Sequence, residues 1–171
     1  MNSFRHRRRL LVGLPALSLL FVAVSGCASM DDTPEVPVPK PDAKVTGLCR
    51  NLHELLPQKI DGLERNDPEP RSELTAAWGS PAIILRCGVA WPDAVLKKDS
   101  MPATVDGVEW IVEELKDGSQ RMTTGSRLAY VEVTIPKDQV AQGGAGPLVD
   151  LAAPIRKGGG ARGGGGERMR G

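Results

Sequence analysis

Ala82-Ile83-Ile84-Leu85-Arg86-Cys87-Gly88-Val89 alternates like a strand with one buried face. Ile83, Leu85, Cys87 and Val89 share one side, and Ile84 and Arg86 share the other. Trp91-Pro92 ends the run. Downstream, Val105 to Leu115 reads as a second strand, with Val108, Trp110 and Val112 on one face, Glu109 and Glu113 on the other, and Ile111 breaking the alternation. Asp117-Gly118 predicts a type I′ hairpin turn, whose two central positions need positive φ. A short strand near Gln120–Thr123 follows. Leu128 to Ile135 is the last strand, with Ala129, Val131, Val133 and Ile135 inward and Pro136 closing it.

Upstream, Thr46 to Leu56 reads as a short helix with Leu48, Leu52, Leu55 and Leu56 on one face and Cys49 beside them, Thr46 as N-cap and Pro57 as stop. Lys59 to Arg65 reads as a short strand around Gly62. Ser72 to Trp78 is either a helical turn capped by Ser72 or an irregular approach to the next element. Pro147 to Ile155 reads as a last helical turn, with Leu148, Leu151 and Ala152 packing back. A helix followed by hairpin-linked strands predicts a small single α+β domain: an antiparallel sheet of about four strands, with a short N-terminal helix packed on one face.

The flanks carry different signals. Arg5, Arg7, Arg8 and Arg9 precede an uncharged run, Leu10–Val24, of signal-peptide length. The run ends in Val24-Ser25-Gly26-Cys27, which resembles the lipobox of bacterial lipoproteins. That resemblance implies cleavage before Cys27 and a lipid on its thiol; a retained anchor helix is the alternative. Arg7-Arg8-Arg9-Leu10-Leu11 loosely resembles a twin-arginine export signal. The expected organisation is a lipoprotein signal peptide over 1–26, a lipid-anchored Pro-rich tether over 27–45, the α+β domain over 46–156 and a disordered Gly/Arg-rich tail over 157–171. Pro34, Pro37, Pro39 and Pro41 favour extended polyproline II in the tether. At about 3.1 Å per residue, the tether would hold the domain up to about 55 Å from the membrane.

The net charge of +1 hides an asymmetry. From Cys27 to Ala153 the chain carries 13 basic and 20 acidic residues, a net of −7, and from Pro154 onward a net of +4. An acidic domain lacks the footprint that nucleic acid demands. If Cys27 of the three cysteines takes lipid, Cys49 and Cys87 remain as an even pair suited to a helix-to-sheet disulfide. Two buried free thiols are the alternative.

Catalytic patterns are missing from the sequence. His53 is the one histidine after the leader and reads as a partly exposed surface residue. Ser80 and Ser126 are the serines a triad would use, but there is no Gly-x-Ser-x-Gly elbow, no metal-ligand spacing and no phosphate-binding glycine loop. No cofactor is expected. The candidate binding residues are Arg86, Trp91, Arg127 and Tyr130. The arginines would recognise a carboxylate or pair with Glu109 or Glu132 across strands. Trp78, Trp91 and Trp110 are either core or the lining of a groove.

Ala77-Trp78-Gly79-Ser80-Pro81-Ala82-Ile83-Ile84-Leu85-Arg86-Cys87-Gly88-Val89 with Pro92, together with Cys49, Leu56-Pro57, Gly62-Leu63, Arg65, Asp106-Gly107-Val108-Glu109-Trp110, Gly125-Ser126-Arg127, Tyr130-Val131-Glu132-Val133 and Pro136, resembles a family of uncharacterised actinobacterial envelope proteins. The resemblance implies small exported or lipid-anchored single domains with two paired-looking cysteines, and it attaches no activity. The expected role is a non-enzymatic binding module on the outer face of the cytoplasmic membrane, held by lipid on Cys27, with an envelope protein or cell-wall component as partner. The alternative is an envelope enzyme or small-ligand carrier built on Arg86, Arg127, Tyr130 and an acidic neighbour.

Overall fold

A computed structural model describes residues 33–92 and 101–161. The order is α1 (Ala43–Leu55), β1 (Lys59–Ile60), β2 (Leu63–Glu64), β3 (Thr75–Trp78), β4 (Ile83–Cys87), β5 (Met101–Val105), β6 (Val108–Glu114), β7 (Gln120–Thr124), β8 (Val131–Ile135), α2 (Lys137–Val140) and α3 (Gly146–Gly158). The class is α+β, as expected. The main sheet, however, has six antiparallel strands rather than four, in the order β3-β4-β8-β7-β6-β5. The excess lies at its two edges. β3 comes from Ser72–Trp78, where four consecutive buried residues leave no alternation to read. β5, Met101–Val105, lies almost wholly before the expected strand Val105–Leu115 and takes only Val105 from it: Val105 pairs directly with Val108, and Asp106-Gly107 is the turn between them.

The three Asp-Gly pairs do not make the same turn. Asp61-Gly62 (φ 48° and 78°) and Asp106-Gly107 (φ 43° and 74°) have both residues left-handed and join directly opposed partners, Ile60 with Leu63 and Val105 with Val108. These are two-residue turns of the I′ kind. Asp117-Gly118, for which that turn was predicted, is different: only Gly118 has positive φ (82°). Gly118 N–H donates to Leu115 C=O at 2.9 Å, and Leu115 N–H donates to Ser119 C=O at 2.8 Å, so the loop has three residues. The Asp117 carboxylate instead accepts from Ser119 Oγ (2.6 Å) and Ser119 N–H (3.0 Å), which lowers its pKa.

The inner face of the sheet carries Ile83, Leu85, Cys87, Val108, Trp110, Met122, Val131, Val133 and Ile135, all buried with Cys49 and Leu52 of α1 and Leu148, Leu151 and Ile155 of α3. Leu55, assigned to the inner stripe of α1, is instead exposed, and Cys49 takes the inward position. Cys49 and Cys87 form a disulfide with Cα atoms 5.6 Å apart. α1 begins at Ala43 rather than after Thr46. Asp42 is its N-cap, its carboxylate accepting from Val45 N–H at 2.8 Å, while Thr46 Oγ donates to Asp42 C=O.

Both ends of the domain reach further than expected. Within the stretch assigned to the tether, Val36 N–H donates to Glu69 C=O, Glu69 N–H donates to Pro34 C=O, and Val36 is buried. Pro41 sits over Gly88, where a Cβ would lie 2.6 Å from Pro41 Cγ. Residues 33–41 are therefore a strap on the domain. At the other end, the expected boundary at 157 falls inside α3. Gly158 meets α1 so closely that a Cβ would lie 2.6 Å from Leu52 Cα. Gly159 and Gly160 carbonyls then accept from Ala129 and Leu128 N–H. Residues 162–171, the rest of that tail, lie outside the described residues, as do the expected signal peptide, 1–26, and Cys27. Among the described residues no helix is long and apolar enough to cross a membrane.

Candidate functional site

The four candidate binding residues do not converge. Arg86 points to the outer face of the sheet, directly opposite Glu132 on β8. Its NH1 donates to Glu132 Oε1 at 3.0 Å and its Nε to Pro37 C=O at 3.1 Å. Glu132 Oε2 also lies 3.6 Å from Arg121, whose NH1 lies 3.6 Å from Glu113. Arg86, Glu132, Arg121 and Glu113 thus form an alternating ladder across β4, β8, β7 and β6, in the cross-strand pairing expected of residues facing one another on a sheet.

Trp91 and Tyr130 do meet, with ring centroids 4.9 Å apart and planes tilted by 57°. They line a groove of about 300 Å³ with Pro41, Val45, Gly88 and Leu128. Trp91 is 45% exposed there, whereas Trp78 and Trp110 are core. Trp78 Nε1 donates to Pro57 C=O at 3.0 Å, whereas Trp110 Nε1 is buried without a partner.

Arg127 belongs to a third place, the Gly125–Tyr130 loop between β7 and β8. The loop opens where Thr124 Oγ1 accepts from Val131 N–H at 2.9 Å. Gly125 N–H is held by Glu109 C=O at 2.8 Å, and Arg127 forms an isolated antiparallel bridge with Ala161. Arg127, Glu109, Ser126, Thr104, Gly107 and Gly125 line a pocket of about 340 Å³. Glu109 does not pair with Arg127; its Oε2 accepts from Ser126 Oγ at 2.5 Å.

One cluster was not anticipated. Arg65 lies over the Trp78 ring at 5.8 Å, its Nε donates to Asp67 at 2.6 Å, and its NH2 approaches His53 Nε2 at 3.1 Å. His53 is half-buried, in keeping with the partly exposed position expected of it. Burial first, and the Arg65 charge second, lower its pKa from 6.5. These side chains border an open cleft of about 440 Å³ with Glu54, Leu56 and Gln58. Their spacing in sequence has no periodicity, and the hairpin β1–β2 brings them together, so only a folded hairpin reveals the group. Among the described residues no cluster of His, Cys, Asp and Glu could hold a metal ion.

No curated protein and no solved structure matches the chain. A family model described as "Protein of unknown function (DUF3515)" matches residues 10–161, from the start of the uncharged apolar run to the last described residue of the fold, and the chain belongs to that family.

Proposed function

We propose that this is a cell-envelope lipoprotein of the actinobacterial type whose domain binds a partner, an envelope protein or a cell-wall component, at the outer face of the cytoplasmic membrane. The observation that carries the reading is the use made of the cysteines. Cys49 and Cys87 are joined, and disulfides persist in oxidising compartments. Cys27 is then left alone, at the end of an apolar run, in a lipobox-like setting. An acidic domain stays off nucleic acid, and the separation of Arg86, Tyr130 and Arg127 leaves the alternative enzyme constellation unassembled. An exposed aromatic groove and an open charged pocket suit a binding module better than a reaction centre.

The strap brings the domain close to the bilayer. Residue 33 already lies on the fold, so six residues, 27–32, separate it from the proposed anchor. Even fully extended, at about 3.5 Å each, they span about 20 Å, not the 55 Å of a free tether. The test is the intact mass of the protein extracted from membranes, with thiol labelling before and after reduction. A chain starting at Cys27 plus acyl groups, with two thiols released only by reduction, is the expected result. A chain starting at Met1 with free thiols overturns the reading.

A further inference from the structure

We propose that the pocket at the Gly125–Arg127 turn binds a small zwitterion, a free amino acid or a dipeptide, with its carboxylate on Arg127 and its ammonium on Glu109. The biological purpose rests on the binding-module reading above; the chemistry does not.

Arg127 as a whole residue is 8% exposed. Buried charges are normally paired, because an uncompensated one is costly. Every other described arginine has a partner: Arg50 has Glu73, Arg65 has Asp67, Arg71 has Glu69, Arg86 has Glu132, Arg121 has Glu113, and Arg156 donates to the Asp106 carbonyl. Among the described residues nothing bonds to the Arg127 side chain, and the pocket it lines is open. A guanidinium presents several N–H donors in a planar fork that matches a carboxylate.

Glu109 supplies the opposite pole. It lines the same pocket without reaching Arg127, and the Ser126 hydroxyl holds one of its oxygens, leaving the other to accept. Among the described residues no cation pairs with it. Two unlike charges, both without an ion-pair partner and lining one 340 Å³ space, fit a dipolar ligand. They do not fit a phosphate, which Glu109 would repel, nor a metal cation, which Arg127 would repel. The volume lies at the small end of ligand sites, suited to an amino acid or a dipeptide rather than a long polymer. Thr104, directly opposite Glu109 on β5, adds a hydroxyl to the wall. Ser126 holds φ at 48°, a conformation uncommon outside glycine, asparagine and aspartate, and this places its hydroxyl on Glu109.

The test is calorimetric titration of the full chain with Gly-Gly, its C-terminal amide and N-acetyl-Gly-Gly. Gly-Gly should bind saturably. Amidation should weaken binding by at least about tenfold, the worth of a charge-assisted hydrogen-bonded contact, and acetylation should weaken it less. Arg127→Gln should abolish binding, and Arg127→Lys should weaken it by about tenfold through loss of the fork. Glu109→Gln should bring Gly-Gly down to the level of its acetylated form without further weakening the latter. Absence of Gly-Gly binding, equal binding of acid and amide, or unchanged binding in Arg127→Gln would overturn the proposal. If Arg127→Gln does not fold, the acid–amide comparison on the unaltered chain and the exposed Glu109→Gln variant still decide it. A chain found uncleaved at Met1 would remove the envelope reading and leave the pocket standing; failure of Gly-Gly to bind would do the reverse.

Discussion

The two faces of the six-stranded sheet are built on opposite terms. The inner face is a continuous apolar layer sealed by two helices and a covalent bond, Cys49–Cys87. The outer face bears the ladder Arg86–Glu132–Arg121–Glu113, and yet it is not simply wet. Thr75, Ala77 and Thr123 on that face are buried, and Pro37 of the strap accepts from Arg86. Strand alternation separates the faces correctly, but it says which side is apolar, not which side is covered. If the inner face carries the stability and the outer face mainly fixes the strap, substitutions on the two sides should differ severalfold.

The largest effect should come from the disulfide. It closes a loop spanning 38 positions between two fully buried sulfurs. In the chain-entropy picture its removal costs about 4 kcal/mol, against a total of about 5–15 kcal/mol for a domain. Cys49→Ala/Cys87→Ala, or the reduced protein, should therefore lose a large part of its resistance to urea. Coincident unfolding curves with and without reductant would show that helix packing alone seals the face.

A smaller effect with a change of sign should separate two helical glycines. At Gly158 an added methyl would sit 2.6 Å from the Leu52 backbone, so Gly158→Ala must push α3 off α1, at about 1–3 kcal/mol. At Gly47 nothing lies within 4 Å. Gly47→Ala should gain about 0.5–1 kcal/mol from helix propensity alone. Thermal melts of the two single variants moving in the same direction would mean that α3 does not bear on α1 as closely as described.

The same pair shows what the sequence could and could not say. The inner residues of β4 and β8 were legible because strict alternation over Ile83–Cys87 and Ala129–Ile135 has one physical reading. β3 was not, because Thr75-Ala76-Ala77-Trp78 is buried on both sides and carries no period. Gly158, Gly159 and Gly160 are ordered where the composition suggests a loose tail, because composition does not distinguish glycine chosen for freedom from glycine chosen for closeness. The prolines of the strap failed likewise: they exclude helix, but an extended chain can dock as readily as it can float. For the site, the pairing of Arg86 with Glu132 followed from register. The isolation of Arg127 did not, since it depends on Ser126 taking the Glu109 carboxylate and on the chain after α3 returning beside the loop.

On the outer face the expected effect is about 1 kcal/mol. Arg86 and Glu132 are 29% and 13% exposed in their side chains, so their pair is better shielded than a surface ion pair but still in reach of water. A double-mutant cycle of Arg86→Ala and Glu132→Ala should give a coupling of about that size, reduced by salt. Arg86→Ala alone also removes the donor to Pro37. Protease cutting near the strap should therefore accelerate more in Arg86→Ala than in Glu132→Ala. Equal cutting in the two would detach the strap from the ladder.

The smallest effect tests the rim, where α1 meets the inner face. His53 lies against Arg65 over Trp78, and its pKa is lowered by burial and by the Arg65 charge. The unfolded chain therefore binds a proton at His53 more readily than the folded one near pH 6. Where the unfolded state holds more protons, stability rises with pH. The contribution is present above 6.5, the ordinary value, and is lost as pH falls from there through the folded pKa. Carboxylates above their own pKa are silent over the upper part of that window. The unfolding temperature should therefore decline between pH 7.5 and 5.5 in the native chain, and His53→Gln should flatten the decline. An unchanged slope in His53→Gln would place the ring in water, outside the sealed layer that otherwise ends at Trp78.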